Sequence, residues 1–506
     1  MNAHTAAASA ASEPPPPPRL GLATKVSYGL GSIAQATAGV AIAQSLITFY
    51  LVRVIGMHPG VVGVLVLVSL AIDAVFDPVI GRVSDTLRSP WGRRHPFMYA
   101  SALPIGLAIV FFWRAPHELT GAGLAAYSLV LLVVIRLSVS LYQIPSDALT
   151  PELAPDYHER TGLLSYRYFF AFLGGTALSV ILGVVYLRKD ASHPLGQYDR
   201  AAYANFGILA AAVTFVAILV SSAATHRYIR TLWRAPVRRQ SWPQALREIA
   251  TTFANPSLVV VMGAGLLAGI STGISATLQL FMSYYFWGLT PQLNSLIGLA
   301  AAPSFFIGVI MAPFLSRALG KKRSMIALFS LAIAAGVVAP TLRLLGLLPP
   351  NGSPWITAIL IADTLFSTTL SIAGFVIVGS MIADVTEDNA VKTGMRSEGL
   401  LFAASNLLPK FAPGIGGLIG ALILEAVHFP AAAQGGALEH VDPGIMRNLV
   451  LLWLPSSMGL NLLAVCMLLF YRLDRGAHEA NLEALGRVAP VTDTLLAAVA
   501  EPHIER

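Results

Sequence analysis

The sequence predicts an all-α membrane protein of twelve transmembrane helices arranged as two six-helix bundles. Three observations carry this. Of the 506 residues 55% are hydrophobic and only 12% are charged, with a mean hydropathy of +0.68, whereas soluble chains carry about 25% charged residues. Twelve apolar runs of membrane-spanning length recur with mostly short loops between them. Basic residues gather in alternate loops, as they do in proteins oriented across a bilayer. A soluble fold is excluded, and the single cysteine excludes a disulfide framework. The net charge of +7 therefore reads as topology and not as affinity for nucleic acid.

Taken in order, residues 1–23 with their run Pro14 to Pro18 are expected to be a disordered tail, lacking the apolar core of a signal peptide. Apolar segments follow near 27–52, 60–84, 97–114, 121–147, 162–187 and 202–224, making a first bundle over 24–224. Residues 225–255 form a basic central loop, in which Trp242 to Phe253 has the periodicity of a short interfacial helix. A second bundle over 256–472 comprises segments near 256–287, 292–316, 324–344, 354–383, 396–427 and 446–471, before a tail over 473–506. One set of loops holds Arg82, Arg88, Arg93 and Arg94, then Arg227, Arg230, Arg234, Arg238 and Arg239, then Arg317, Lys321, Lys322 and Arg323. By the positive-inside rule these loops and both termini are expected in the cytoplasm of a cell-membrane protein.

The halves look like a duplication. Gly92-Arg93-Arg94-His95 after span two matches Gly320-Lys321-Lys322-Arg323 after span eight. Asp156 to Gly162 after span four, with Arg160 and Thr161, matches Asp388 to Gly394 after span ten, with Lys392 and Thr393. Two related halves around a midplane site are a common architecture of secondary transporters.

Charges at bilayer depth cost several kcal/mol and mark functional positions. Asp73 and Asp77 lie four residues apart in span two, on one helix face. Two carboxylates in a dry site repel unless a sodium ion or a proton neutralises them, so the pair needs a cation. Asp85 is expected to pair with a neighbouring arginine, with Arg93 and Arg94 in the adjacent loop, while the cytoplasmic side is closed, and so to act in gating. Span four carries Arg136, Ser140, Gln143 and Asp147 on one polar stripe, and Arg167 in span five borders the same space. Arg136 has three open roles: a fork for a substrate oxygen, a side chain reaching toward the interface, or a partner for Asp363. Lys410, between Pro409 and Pro413 in an apolar run, can bind a substrate oxygen or compete with the cation for the acidic pair. No phosphate-cradling glycine-rich loop, His-Glu-x-x-His or G-x-S-x-G motif is present, which argues against ATP-driven transport and against an enzyme.

Together Asp73-Ala-Val-Phe-Asp77-Pro-Val-Ile-Gly81, Asp85 and Arg88-Ser-Pro-Trp-Gly-Arg-Arg-His-Pro96 resemble the signature of the glycoside-pentoside-hexuronide:cation symporters. These are the melibiose-permease-like branch of the major facilitator superfamily. Lys25 to Gly31, Gln143-Ile-Pro, Glu159-Arg160, Ala383-Asp384, Arg396-Ser-Glu398 and Lys410 extend the resemblance over roughly residues 24–475. It implies alternating access and symport coupled to sodium, lithium or protons, with Asp73, Asp77 and Ser140 holding the cation. It also implies that Lys410 stands between the cation and sugar sites. The sugar-site positions differ from the family pattern: Ala36 and Gln143 stand where the melibiose permeases have carboxylates, Asp147 replaces an aromatic platform, and Tyr168 beside Arg167 takes an arginine position. Phe76 replaces a polar residue of the cation region. Melibiose is therefore disfavoured as cargo, and the positive charges favour an acidic or strongly accepting solute.

The expected function is cation-coupled (Na+ or H+) symport of a sugar, glycoside or uronide-like solute by a monomer that needs no cofactor. Cation-coupled transport of an amphiphile such as a lysolipid is the alternative, and a polytopic lipid-modifying enzyme is a more distant one.

Overall fold

The computed structural model describes residues 20–154, 156–189, 195–229, 256–393, 398–430 and 441–471, and their side chains except at 157–158, 256–258, 382–393 and 398–410. The expected interfacial helix, most of both expected tails, and the side chains of Asp384, Arg396 and Lys410 lie outside the described residues.

The described residues form helices, and eleven are long and apolar enough to span a bilayer: α1 Leu22–Val54, α2 Pro59–Thr86, α3 His95–Trp113, α4 Gly121–Leu153, α5 Glu159–Tyr186, α6 Arg200–His226, α7 Val259–Phe286, α8 Pro291–Leu319, α9 Lys321–Leu344, α10 Pro354–Met381 and α12 Pro443–Leu468. The twelfth, α11 Glu398–Ala426, completes the set, with Phe411–Ala426 as its apolar described part. The protein is therefore a multi-pass membrane protein.

Local chemistry sets several boundaries beyond the apolar runs. The helix that carries the α5 span begins at Tyr157, earlier than the expected 162, because Asp156 accepts a hydrogen bond from the Glu159 amide at 2.9 Å and caps it. Asp442 caps α12 through the Gly444 amide at 2.7 Å, and Thr290 caps α8 through Leu293 at 3.3 Å. The α8 span is broken between Ala300 and Pro303, where the proline cannot donate a helical hydrogen bond.

The packing partners repeat with a shift of six helices. In the first half α1 packs on α5 and α6, α3 on α4 and α6, and α2 on α4; in the second α7 packs on α11 and α12, α9 on α10 and α12, and α8 on α10. Each pairing of one half has its counterpart in the other, which is what a duplication produces. The turn after α1 repeats after α7 as well. Both helices end in a π-turn, Tyr50–Val54 and Met282–Phe286. Ile55 donates to Tyr50 and Met57 to Leu51, while Trp287 donates to Met282 and Leu289 to Ser283. Gly56 and Gly288 then take φ of 86° and 61°, a left-handed conformation open to glycine.

The halves meet on one side of the membrane only, among the described residues. On the face away from the basic loops, Gly63 of α2 lies against Leu418 and Ala421 of α11, and Gln44 of α1 donates to Gly273 O of α7 at 3.0 Å. Gln292 of α8 reaches Leu187 O at 3.3 Å, and Phe49 of α1 packs on Phe281 and Tyr284 of α7. Arg53 closes that face. It is 1% exposed and donates Nε to Tyr285 OH at 2.7 Å, Nη1 to Pro430 O and Nη2 to Tyr198 OH at 3.2 Å, with the rings of Tyr198, Tyr285 and Phe429 around it. Toward the basic loops, Val75, Phe76, Val79 and Val83 of α2 and Tyr168 of α5 stand exposed. Among the described residues no hydrogen bond or ion pair joins the halves there.

Candidate functional site

Helices α2 and α4 run in the same direction and meet in a constant register. Arg136 Nε donates to Ser69 Oγ at 3.0 Å and Ser140 Oγ donates to Asp73 Oδ1 at 2.8 Å, both pairs separated by 67 residues. Positions four apart on one helix thus face positions four apart on the other. Arg136 thus does not pair with Asp363: it donates to Ser69, while Asp363 lines a cavity elsewhere. Ser69 in turn donates to Val66 O at 2.8 Å, which fixes the acceptor that Arg136 uses.

Asp73 is buried, 7% exposed, and Asp77 one turn further on is half-buried. Pro78, inside α2, has no N–H to give to the carbonyl four residues earlier, so the Ala74 carbonyl is left without its helical donor beside the acidic pair. Carboxylates of Asp73 and Asp77, the Ser140 hydroxyl and this carbonyl are hard oxygen donors of the kind a sodium ion takes, and two adjacent carboxylates suit a shared proton equally. Either way the site offers negative charge in a low-dielectric setting, where one added positive charge matters most.

The stripe on α4 continues through Gln143, half-buried, to Asp147. Arg167 of α5 binds Asp147 through Nη2, Tyr28 OH at 3.0 Å and Thr150 Oγ1 at 3.3 Å through Nη1, and Ser32 Oγ at 3.2 Å through Nε. Tyr28 also donates to Ser146 O, and the Arg167 guanidinium lies over its ring at 5.2 Å. The arginine is thereby a clamp joining α1, α4 and α5. The side chain of Asp147 is 48% exposed while that of Arg167 is 11% exposed, so the carboxylate is what the clamp presents to the open space.

At the basic-loop end the same register returns. Asp85 and Glu152 are again 67 residues apart, and Arg94 bridges them at 3.3 and 2.9 Å while Arg93 pairs with Glu152. Burial lowers the pKa of Arg94, against the opposing pull of Glu152 and Asp85. These ion pairs lie within the first half, where they fasten α2, α4 and the intervening loop to one another. The sequence reasoning named Asp85, Arg93 and Arg94 but missed Glu152, the hub of the cluster. Its signal was present in the spacing from Asp147 to Glu152, which extends the polar end of α4 past the apolar run. Glu152→Gln is expected to lower the melting temperature of the detergent-solubilised protein by several degrees, because two guanidiniums lose their shared, 10% exposed carboxylate. An unchanged melting curve would show the cluster to be energetically idle. Lys25 and Glu159, 3.1 Å apart, tie the start of α1 to α5 on the same face.

Twelve helices in two pseudo-repeated halves, with charged groups at membrane depth, have the architecture of many secondary transporters. The chain belongs to the MFS/sugar transport protein family, whose model matches residues 27–475. It is 24% identical to an uncharacterized symporter of Synechocystis over 91% of this chain and 96% of that one. It is also 24% identical to the isoprimeverose transporter of Lactiplantibacillus pentosus, over 89% and 88% of the two chains. Among solved structures the nucleoside transporter NupG shares the fold, with a TM-score of 0.61 at 15% identity over 89% of this chain and all of that one. The protein is a transporter and not an enzyme.

Proposed function

We propose that the protein is a symporter that couples uptake of a sugar or glycoside to a monovalent cation, sodium or proton, by alternating access. The observation that carries this is the α2–α4 register, which puts Asp73, Ser140 and Arg136 side by side between α2 and α4. With the basic loops facing the cytoplasm, Arg53 joins the halves on the outer side. The protein works as a monomer.

Coupling follows from charge. With the cation absent, the acidic pair carries negative charge, and Arg136, which is coupled electrostatically to Asp73, is drawn toward it. A bound cation neutralises the pair and leaves the Arg136 Nη edge available to a substrate oxygen. Gln143 and Asp147 offer hydrogen-bond partners along the same stripe, Arg167 holds Asp147 in place, and Lys410 supplies a further positive charge. A sugar is favoured over an amphiphile because the matched family is one of sugar transport. Asp85, Arg93 and Arg94 set the balance between inward and outward states through the first-half cluster.

Purified protein in liposomes, offered isoprimeverose, methyl β-xyloside, glucuronate and melibiose, tests the reading. Gradient-driven accumulation of at least one of the first three is expected, with melibiose poorest; no accumulation of any would overturn it. Arg136→Gln is expected to weaken binding of glucuronate at least tenfold more than binding of its neutral glycoside, since losing a guanidinium fork costs a charged ligand most. Equal weakening would remove Arg136 from the contact. Asp85→Asn and Arg93→Gln are expected to change two-sided accessibility labelling while substrate affinity stays within a few-fold; the reverse pattern would place them in the binding site.

A further inference from the structure

A cavity of about 660 Å³ lies on the outer side of the acidic pair and is walled by both halves. Its polar lining includes Ser45 of α1, Thr176 of α5, Gln279 of α7, Asn294 of α8 and Asp363 of α10, with the indole of Trp453 of α12 as an aromatic wall. Trp453 Nε1 donates to Ser275 Oγ at 3.2 Å, which fixes the ring. Asp363 stands nine residues into α10, about 14 Å along the axis at ~1.5 Å per residue. Asp73 stands fourteen residues into α2, which starts from the same face, about 21 Å by the same rise. The two carboxylates are therefore at different depths and on different halves.

Asp363 makes no hydrogen bond or ion pair with any described residue. An acid at membrane depth costs several kcal/mol unless something compensates it, and here the nearby groups are amides, hydroxyls and an indole. That set is poor for a metal ion, among the described residues, because it has one carboxylate and no second anionic ligand. It suits a polyhydroxylated ring: a carboxylate accepts two vicinal hydroxyls, amides take both donor and acceptor roles, and an indole face covers the C–H side of a sugar. The first half has no acid at Ala36 or Gln143 to do this.

We propose that Asp363 is the hydroxyl-binding carboxylate of the substrate site, placed on the second half, and that the cavity takes the neutral, hydroxyl-rich ring of the transported solute. The assignment rests on the sugar-symport reading. Because the cavity is walled by both halves, a solute bound in it would bind the halves to each other.

The test uses the full chain in detergent and in liposomes, with the sugar of the panel above that raises the wild-type melting temperature most. Asp363→Asn, nearly isosteric, is expected to raise the Kd of that sugar at least tenfold, with Asp363→Glu recovering part of the loss. Monodeoxy analogues should identify a hydroxyl whose removal costs wild type about as much and costs Asp363→Asn nothing. In the wild-type protein, labelling of Asp363 by dicyclohexylcarbodiimide, read by mass spectrometry, should be slowed by saturating sugar, a readout that needs no variant to fold. Wild-type affinity in Asp363→Asn, or labelling unaffected by sugar, overturns the assignment and leaves the symport reading standing. Retained sugar affinity with lost ion-driven uptake also overturns it, making Asp363 a coupling group. No uptake of any sugar by wild type overturns the symport reading itself.

Discussion

Replacing Asp73 or Asp77 by asparagine is expected to abolish ion-driven accumulation of substrate in proteoliposomes while leaving exchange across the membrane measurable. The carboxyl of Asp73 is buried and accepts the Ser140 hydroxyl, and Asp77 follows one turn later on the same face. Asparagine keeps the size and one oxygen but removes the negative charge that makes a cation necessary. With a neutral side chain at either position, substrate binding no longer depends on the ion, so the gradient has nothing to pull on. Ser140→Ala removes only one ligand, and a reduced apparent ion affinity with accumulation retained is the expected result. Full accumulation in both aspartate variants would reject the pair as the coupling site.

The second large effect is expected at Arg53. Its guanidinium crosses between the halves to Tyr285 and Pro430, and hydrogen bonds to charged groups contribute about 1.5–3 kcal/mol each. These contacts exist only while the outer face is closed, so removing them destabilises that state alone. A loss of about 1.4 kcal/mol shifts the equilibrium tenfold. Arg53→Ala is therefore expected to raise labelling of an outer-half cysteine, introduced at Gln44, at least tenfold from the outside. Arg53→Lys should do much the same, since an ammonium cannot reproduce the fork among two tyrosines and a carbonyl. Unchanged labelling in both would mean that α2–α11 and α5–α8 packing alone holds the face shut.

Arg53 shows where sequence reasoning stops. The apolar run of span one ends near residue 52, so Arg53 read as the first polar residue of a loop, and nothing in the spacing says that it turns inward. Its environment is built from three other chain segments, the α7 end, the 196–198 turn and the α11 end, which no linear pattern brings together. The repeat did hold a clue: Gly56 and Pro59 recur as Gly288 and Pro291 at one offset, which marks Arg53 and Tyr285 as equivalent positions near the pseudo-symmetry axis. By contrast, the polar stripe on α4 and the acidic pair on α2 were legible, because four-residue spacing fixes a helix face before any packing is known. What spacing left open was the register between the helices. Only with Ser69 opposite Arg136 did its role separate from that of Asp363, and only with Arg94 between Asp85 and Glu152 did the last turn of α4 gain a function. Span number followed from hydropathy, whereas the early start of α5 and the break in α8 follow from a capping aspartate and a single proline.

The most direct test of the coupling claim is simultaneous measurement of ion and sugar flux in liposomes holding the wild-type protein, with no ion gradient and a sugar gradient imposed. Cation-coupled symport predicts that the sugar moving down its gradient drags sodium or protons in the same direction at a fixed ratio, and that this ion movement is absent in Asp73→Asn and Asp77→Asn. Sugar flux without any accompanying ion movement, or ion movement that persists in both variants, would contradict it.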